Sequence, residues 1–589
     1  MNQMQLFGES TVKQMKEIVK AEGVTAAFGI DLGTTNSAIA LVPAGTAPVI
    51  IPLEHGNTLP SCVMWNGGNS FTVGKEAYEK RYDPSVIYSV KRFMQDTDKV
   101  ITLHHGNDIK EMTPAEVSAE ILKALVKQTK GIYGEVKDVV ITVPAKFNEI
   151  GRQHTREACE LAGLNLLGII AEPTAAAMCY ELKPEEGNVK DILIYDLGGG
   201  TFDVSLVRIS LGSDMTKVDE LYGVPASLRE KCTGKVIKAI GGDGDTHLGG
   251  DDVDRHTYEI VKKQLEDNLV DTSRISIEEE SRVILLLESL KKLGIDGQTR
   301  IPITLDKGLN TEEVVEAVIT YNTFVEGLRP TYNRTRKIIE NVRRANRTNA
   351  NMIILVGGST KSKILKKLLQ EDYPTFTIND AFPQDEAVAL GAGIHSRFLK
   401  FRDNNISIFD SLIDSIGIVA ADRVLPVISK GSTFPVSRSK MFTNTVDNQK
   451  SIKVTVVQGN SSLLEECCVL GELVIDNLPP VPEGTLNIEI VLSINVNGLL
   501  MCEVIIQETG STEAPIKRGL KLALNSNVEA PKQLSREERL VIRWKALAKR
   551  KGGNFGKQLL QLVDAYPGNV TQEEIMTFIK EGTELNVSE

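Results

Sequence analysis

Short apolar runs, broken by glycines and acidic residues, form a pattern that predicts a strand hairpin. The stretch ILIYDLGGGTFDVSLV, residues 192–207, has two runs rich in Ile, Val and Leu around Asp196, three glycines, Thr201 and Asp203. Runs of this length and composition predict two strands joined by a turn. Three successive glycines exceed what a turn requires, and their backbone N–H groups can approach a bulky anion closely. The pattern therefore predicts a hairpin that can hold a phosphate.

A second hairpin of the same design lies near the start of the chain. The stretch FGIDLGTTNSAIALV, residues 28–42, places Asp31, Gly33 and two threonines between two apolar runs. Either loop alone fits an ordinary glycine-rich hairpin with solvated acids equally well. Together, about 165 residues apart, they predict a duplicated fold whose halves face each other across one nucleotide. Carboxylates beside phosphates require a cation, and Mg²⁺ is the usual one.

The pattern changes from about residue 412 onward. Short strand-like runs such as IKVTVVQG, GELVIDNL and TLNIEIVLSINVNGLLMCEVII are separated by turn-forming segments, which predicts a β-sandwich. Nearer the C-terminus, two short helices are predicted by capping boxes at Ser535 with Glu538 and at Thr571 with Glu574. Residues 1–26 carry a short amphipathic pattern that predicts a helix packed on another surface.

Composition narrows the class of protein. A chain of 589 residues with 41% hydrophobic residues should hold several domains. Its net charge of −11 argues against nucleic-acid binding. The seven cysteines show no CxxC spacing, which suits structural thiols in a reducing compartment. The absence of a long apolar run and of a signal-peptide core predicts a cytoplasmic protein that does not bind membranes.

Further blocks follow in a specific order. Neither hairpin has a GxxxxGK[ST] or GxGxxG pattern, which excludes P-loop and dinucleotide-binding folds. The remaining blocks are SVKRF (89–93), DVVITVPAKFN (138–148), IIAEPTAAAMCYE (169–181), GDTHLGGDDVD (244–254), IILVGGSTKSKIL (353–365) and PQDEAVALGAGI (383–394). With these blocks, the chain resembles the seventy-kilodalton heat-shock chaperones of DnaK type, within the wider superfamily of actin and sugar kinases.

The resemblance implies a fold and a domain order. The fold is an α/β actin-like ATPase of two duplicated ribonuclease-H-like lobes, followed by a β-sandwich peptide-binding domain and a short α-helical region. The expected segments are an N-terminal extension (1–26), the ATPase domain (27–398), a linker (399–411), the substrate-binding domain (412–510) and the short C-terminal region (511–589). The C-terminal helices do not look like the long lid of the family.

The chemistry of ATP hydrolysis assigns roles to residues that also match the family. The protein supplies mainly position and electrostatics. Asp31 and Asp196 would hold hydrated Mg²⁺, and Lys91 would neutralise the γ-phosphate. The expected catalytic set is Lys91, Glu172, Asp196, Thr201 and Asp203. The expected ATP/ADP-binding set is Gly33, Thr34, Thr35, Asn36, Gly198, Gly199, Gly200, Thr201, Gly249, Gly250, Glu288, Lys291, Gly357, Gly358, Ser359 and Asp385.

The resemblance also implies a peptide site in the β-sandwich. Its expected residues are Ile418, Phe442, Ile452 and Val454 in the pocket and Ala421 and Thr445 at an arch above it. Without the family, these would be ordinary core residues. The expected partners are extended segments of unfolded polypeptides, with J-proteins and nucleotide-exchange factors as candidate co-chaperones.

Three departures from the family pattern concern the contact with the nucleotide base, the coupling between domains and the docking of a co-chaperone. Lys361 stands where many relatives carry an arginine that stacks on the base, and lysine has no flat plane to stack. Ser407 and Ser411 interrupt an aliphatic linker, which would weaken the coupling, and Gly168 replaces a basic residue used in co-chaperone docking. The expected function is an ATP-dependent peptide chaperone. The alternatives are a nucleotide-binding scaffold or exchange factor that does not cycle, and a small-molecule kinase.

Overall fold

The computed structural model describes most of the chain between residues 26 and 521, and part of the C-terminal region. The described ranges are 26–43, 47–96, 99–133, 136–180, 189–211, 234–294, 297–306, 312–401, 406–412, 414–420, 423–433, 435–495, 500–509, 515–521 and 553–566, with positions 498, 571, 574, 575, 577 and 578. The amphipathic helix predicted within residues 1–26 and the capping box at Ser535 therefore lie outside the described residues.

The described elements comprise strands and helices in alternation, and then strands alone until the C-terminal region. The strands are β1 (Ala27–Asp31), β2 (Asn36–Val42), β3 (Val49–Ile50), β4 (Leu59–Pro60), β5 (Cys62–Trp65), β6 (Phe71–Val73), β7 (Val86–Tyr88), β8 (Ile101–His105), β9 (Asp108–Met112), β10 (Asp138–Val143), β11 (Asn165–Ala171), β12 (Lys190–Leu197), β13 (Phe202–Leu211), β14 (Lys235–Asp245), β15 (Gln298–Asp306), β16 (Glu312–Thr320), β17 (Met352–Val356), β18 (Thr377–Asn379), β19 (Ile406–Phe409), β20 (Ile416–Ala420), β21 (Arg423–Ile428), β22 (Val436–Phe442), β23 (Ser451–Gln458), β24 (Cys468–Asp476), β25 (Leu486–Ile494), β26 (Leu500–Glu508) and β27 (Ile516–Lys521). The helices are α1 (Lys75–Glu79), α2 (Pro114–Tyr133), α3 (Glu149–Leu161), α4 (Glu172–Cys179), α5 (Gly250–Asp267), α6 (Ile277–Leu293), α7 (Tyr321–Asn346), α8 (Lys363–Asp372), α9 (Ala387–Phe401) and α10 (Gly553–Asp564). Among the helices in these ranges, none combines the length and apolar character of a membrane span.

Two six-stranded sheets repeat the same core arrangement. The first has the order β11-β10-β1-β2-β3 with β4 paired to β2, and the second has the order β18-β17-β12-β13-β14-β19. In each sheet an antiparallel hairpin, β1–β2 or β12–β13, is extended on its first strand by two parallel strands. The two hairpins predicted from the sequence are confirmed. We refer to residues 27–180 and 190–401 as the first half and the second half.

Two helices rich in small residues pack between the sheets. Ala176 of α4 and Leu390 of α9 share a buried cluster with Ala40 of the first sheet and Ile194 of the second. A Cβ atom at Gly391 of α9 would lie 1.8 Å from the carbonyl oxygen of Ala175, so these helices approach at a distance that only glycine permits. The shared core holds the halves together and aligns the two hairpin turns.

The segment predicted as a linker lies against the second sheet. Helix α9 continues to Phe401, and β19 pairs in parallel with the edge strand β14. After β19, the Thr174 hydroxyl donates a 2.7 Å hydrogen bond to Asp410, and the Ser411 hydroxyl donates a 2.7 Å bond to the carbonyl of Ala239. Ser411, which interrupts the aliphatic pattern, therefore contributes a polar contact to the docked segment.

The following strands form two facing four-stranded sheets. Their orders are β21-β20-β23-β24 and β22-β25-β26-β27, and apolar residues of both sheets form one cluster. Strand β27 extends the second sheet past residue 510, where the sequence analysis began the helical C-terminal region. The charged residues Lys517 and Arg518 obscure its alternation in the sequence, but Ile516 packs against the core.

Helix α3 of the first half joins these sheets to the first half. Ile150 of α3 lies in their apolar cluster, and the Glu149 amide donates a 3.0 Å hydrogen bond to Gln458. The side-chain amide of Asn148 donates a 3.6 Å hydrogen bond to the sulfur of Cys468. The two β-sheets are thus docked on the first half through residues at the N-terminal end of α3.

The described C-terminal positions include one of the two predicted capping boxes. The Thr571 amide donates to the Glu574 carboxylate at 2.7 Å, and the Glu574 amide donates to the Thr571 hydroxyl at 3.3 Å. This reciprocal pair confirms the predicted box. Leu559 of α10 and Ile575 are fully buried.

Candidate functional site

A cavity of about 620 Å³ lies where the two hairpin turns meet. Most of the predicted site residues line it together: Asp31, Gly33, Thr34, Thr35, Asn36, Lys91, Glu172, Asp196, Gly198, Gly199, Thr201, Gly250, Glu288, Lys291, Gly357, Gly358, Ser359 and Asp385. Asp203, Gly200 and Gly249 adjoin it without belonging to its lining. Asp203 is the strand partner of Asp196, and Gly249 is the N-cap of α5.

The glycine turn of the second hairpin is a junction for three loops. The Gly250 amide and the Ser359 hydroxyl both donate to the carbonyl of Gly198, at 3.0 and 2.8 Å. Gly357 has φ 84°, and a Cβ atom there would lie 2.4 Å from the carbonyl oxygen of Leu197. The glycines therefore let the turn, the start of α5 and the loop after β17 approach one another, which the sequence analysis did not anticipate.

Lys91 and Glu172 form a buried ion pair at the cavity wall. Lys91 belongs to the 3₁₀ turn Val90–Phe93, and its ammonium contacts the Glu172 carboxylate. Burial lowers the pKa of Lys91, but the negative charges of Glu172 and Asp31 raise it by more than burial lowers it. The net pKa of Lys91 is therefore above its ordinary value. The lysine therefore remains charged inside the protein.

The carboxylates around Lys91 are in an unusually unfavourable environment for their negative charge. Burial, with repulsion from Glu172, raises the pKa of Asp31 to about 6 and that of Asp196 well above its usual range. Burial also raises the pKa of Asp203 to about 6. A cation would relieve this repulsion. The Thr142 hydroxyl orients Asp31 through a 2.8 Å hydrogen bond.

The donor set fits a hydrated Mg²⁺ ion and a phosphate-bearing ligand. Within the described ranges, no three His, Cys, Asp or Glu side chains are arranged as a metal cluster. Mg²⁺ is commonly held by only one or two carboxylates, water and phosphate oxygens, and Asp31 with Asp196 meets this requirement. The buried hydroxyl of Thr35 has no hydrogen-bond partner within the protein and is available to a phosphate oxygen.

Glu288 and Lys291, which were predicted to bind ATP or ADP, have partners within the protein. Glu288 of α6 accepts hydrogen bonds from Tyr78 at 3.0 Å and from Arg81 at 3.2 Å, both in the first half. Lys291 pairs with Asp254 at 2.6 Å. Glu288 therefore connects the two halves across the cavity, a role that helical spacing could not reveal.

Arg92 borders the site, and no role was predicted for it from the sequence. Its guanidinium donates a 2.8 Å hydrogen bond to the carbonyl of Gly200 and lies 3.9 Å from the carboxylate of Asp251. The pKa of Asp251 is raised to about 6, mainly because its carboxylate is buried. Arg92 thus links the first half to the glycine turn of the second half. Its place in the SVKRF block beside Lys91 was the available signal.

The predicted peptide-site residues fall into different environments. Ile418 and Val454 are buried in the core between the β20 and β25 sheets, and Phe442 and Ile452 pack partly buried against it. Thr445 is exposed, and its amide donates a 2.9 Å hydrogen bond to Gln449. Ala421 lies outside the described residues. The four residues predicted for the pocket, Ile418, Phe442, Ile452 and Val454, therefore belong to one apolar cluster.

The paired hairpins, the buried lysine and the carboxylates form a site whose chemistry fits a phosphate-bearing ligand with a divalent cation. The family model described as "Hsp70 protein" matches residues 27–223 and 227–539. Chaperone protein dnaK of Cyanidium caldarium is 32% identical, covering 82% of this chain and 79% of that protein. An HscA homolog, a chaperone protein of Acinetobacter baumannii, is 34% identical over 80% of this chain and 74% of its own length. The chain therefore belongs to the Hsp70 family, as a chaperone of the DnaK type.

Proposed function

We propose that the protein is an ATP-dependent molecular chaperone that binds and releases extended apolar segments of unfolded polypeptides. The observation that carries this proposal is the single cavity formed by both glycine hairpins, in which Lys91 and Glu172 pair beside Asp31 and Asp196. In the same chain, a pair of β-sheets docks on the half that supplies Lys91. The proposed cycle couples hydrolysis at the cavity to peptide binding in those sheets.

Hydrolysis would depend on the positions of groups from both halves. Mg²⁺, held through water by Asp31 and Asp196, would supply charge neutralisation for the phosphates. Lys91 adds a fixed positive charge at the γ-phosphate, and its pair with Glu172 holds both side chains in place. Thr34, Thr35 and Thr201 donate hydrogen bonds to phosphate oxygens. Glu172 and Asp203 orient the attacking water or the water shell of the metal.

We also propose the finer assignment of the fold and its segments. The two repeated sheets support actin-like lobes of ribonuclease-H type within residues 27–398, with nucleotide bound between them. The β-sheet pair after residue 412 supports a peptide-binding sandwich. The docked segment around β19, with Asp410 bonded to Thr174, supports a route for coupling between them.

The proposed partners are unfolded polypeptides, with J-proteins and nucleotide-exchange factors as candidate co-chaperones, in the cytoplasm. A typical J-protein contact would have to form without the basic residue that Gly168 replaces. A Cβ atom at Gly168 would lie 3.0 Å from a terminal methyl group of Leu399, so a larger side chain there would displace that leucine side chain.

A steady-state ATPase assay with and without an unfolded peptide tests the proposal. A chaperone hydrolyses ATP without a second substrate, and the peptide changes its rate. A small-molecule kinase would show little hydrolysis until its phosphate acceptor was added, and a non-cycling scaffold would bind ATP without turnover. The chaperone relatives favour neither alternative.

We expect Glu288→Gln to accelerate the release of bound ADP by about tenfold, because it removes the charge that joins Arg81 to α6 across the cavity. Stopped-flow displacement of a fluorescent ADP analogue measures the rate. Glu316→Gln is the matched control, since Glu316 pairs with Arg300 on an exposed hairpin. Equal release rates in both variants would show that the link does not hold the cavity closed.

In the β-sheet pair, we expect Ile452→Phe to weaken binding of a Leu-rich labelled peptide by about tenfold, because the larger ring fills the proposed pocket. Ile452→Val should bind as the unaltered protein does. Fluorescence anisotropy measures the dissociation constants. If the phenylalanine variant binds the peptide normally, Ile452 is not part of the peptide site.

A further inference from the structure

One part of the cavity is formed by α6, α7 and the start of α8, away from the hairpin turns. Tyr321, the first residue of α7, lines this part and keeps 40% of its surface exposed. Phe324 also lines it but is only 3% exposed and packs in an apolar cluster. Of the aromatic side chains in the described lining, Tyr321 is therefore the one with an accessible ring.

The arginine that the resemblance leads one to expect at the base is absent from this chain. Lys361 stands where an arginine would stack, and its ammonium pairs with Asp385 at 2.5 Å. A lysine has no planar group to lie on a base, and the described cavity lining contains no arginine. A nucleobase presents a broad apolar face that is stabilised by a flat aromatic partner.

Other residues of the cavity lining suit the same ligand. Leu290 and Leu293 of α6 and Ile364 of α8 also line the cavity and offer apolar surface to a planar group. The phosphate-binding threonines and the carboxylates line the same continuous cavity at the hairpin turns. A nucleotide with its phosphates at the turns can therefore extend its base toward α6 and α7.

We propose that Tyr321 is the base-stacking residue of this site, an inference that rests on the proposed ATP-dependent function. Stacking involves the face of the base and none of its hydrogen-bonding edges, so it adds affinity without selecting one base. Tyr321 thus replaces the missing arginine in contributing affinity for the nucleoside. Binding of the phosphates does not depend on it.

The test measures binding by isothermal titration calorimetry on the full-length protein with Mg²⁺. We expect Tyr321→Ala to raise the dissociation constant of ADP by about tenfold or more. Tyr321→Phe keeps the ring and should stay within about twofold of the unaltered protein. Phe401→Ala, which truncates a 38% exposed ring on α9 outside the cavity lining, is the matched control. Inorganic tripolyphosphate, which has no base, should bind all four proteins equally.

Two results would overturn the assignment of Tyr321 alone, and a third would also overturn the proposed ATP-dependent function. If the unaltered protein binds ADP and Tyr321→Ala binds it equally well, the ring does not stack on the base. If Tyr321→Ala weakens tripolyphosphate by the same factor as ADP, the substitution acts by disturbing the cavity, and the assignment fails. If the unaltered protein binds no adenine nucleotide, both this inference and the proposed ATP-dependent function fail.

Discussion

Replacing Asp196 by Asn is expected to slow single-turnover hydrolysis of bound ATP by about 100-fold or more. Asp196 is the penultimate residue of the first strand of the second hairpin and lines the cavity with Asp31. In the proposed mechanism, loss of its charge would weaken the placement of the Mg²⁺ ion that neutralises the phosphates. Thr201→Ala should slow hydrolysis similarly, because it removes a placed hydroxyl from the same turn. Rapid mixing with radiolabelled ATP measures the single-turnover rate.

The fold should survive the Asp196 substitution. Burial and repulsion from Glu172 and Asp203 raise the pKa of Asp196 well above its usual range, so a neutral amide of the same size relieves strain on the folded state. Asp138→Asn is the control, because Asp138 lies on the first sheet and pairs with Lys400 outside the cavity lining. Hydrolysis at the normal rate in both Asp196→Asn and Thr201→Ala would refute the assigned roles.

The second large effect concerns the ion pair of Lys91 and Glu172 in the cavity wall. Lys91→Met is expected to destabilise the protein by about 3 kcal/mol or more, because it leaves Glu172 buried without its cation. Adding Glu172→Gln should recover most of this loss, since no uncompensated charge then remains at that position. Thermal unfolding of the full-length single and double variants measures the effect.

The loss in Lys91→Met should also depend on pH. Burial raises the pKa of Glu172 in the folded protein, so its ionisation opposes folding as the pH rises. The Lys91→Met variant should therefore regain stability as the pH falls and Glu172 becomes protonated. A variant that is as stable as the unaltered protein at every pH would show that the pair contributes little to the fold.

Local sequence pattern was sufficient to locate the hairpins and the β-sheet pair. Strand residues alternate or cluster by hydrophobicity within a few positions, and glycine marks turns because of its own backbone freedom. Both hairpins appear at the predicted residues. Strand β27 was missed because the charged residues Lys517 and Arg518 hide the alternation in the sequence.

The hydrogen-bond partners of the site residues could not be predicted from that local pattern. Glu288 and Lys291 were assigned to the nucleotide site from the sequence, but the hydrogen bonds of Glu288 to Tyr78 and Arg81 join positions about 210 residues apart. The bond from Arg92 to Gly200 likewise spans 108 positions. Such contacts depend on how the two halves pack around α4 and α9, which no local window contains.

The sequence by itself determined the family, the two hairpins with their acids and glycines, and the order of ATPase-like and β-rich segments, because these are written in residue types at short spacing. Only the tertiary structure decided that Lys91 meets Glu172, that Glu288 joins the halves, that the segment after α9 adds a strand to the second sheet, and that Tyr321 opens into the cavity. The physical reason is that each of these contacts joins groups from separate elements, whose distance is set by the packing of the whole core.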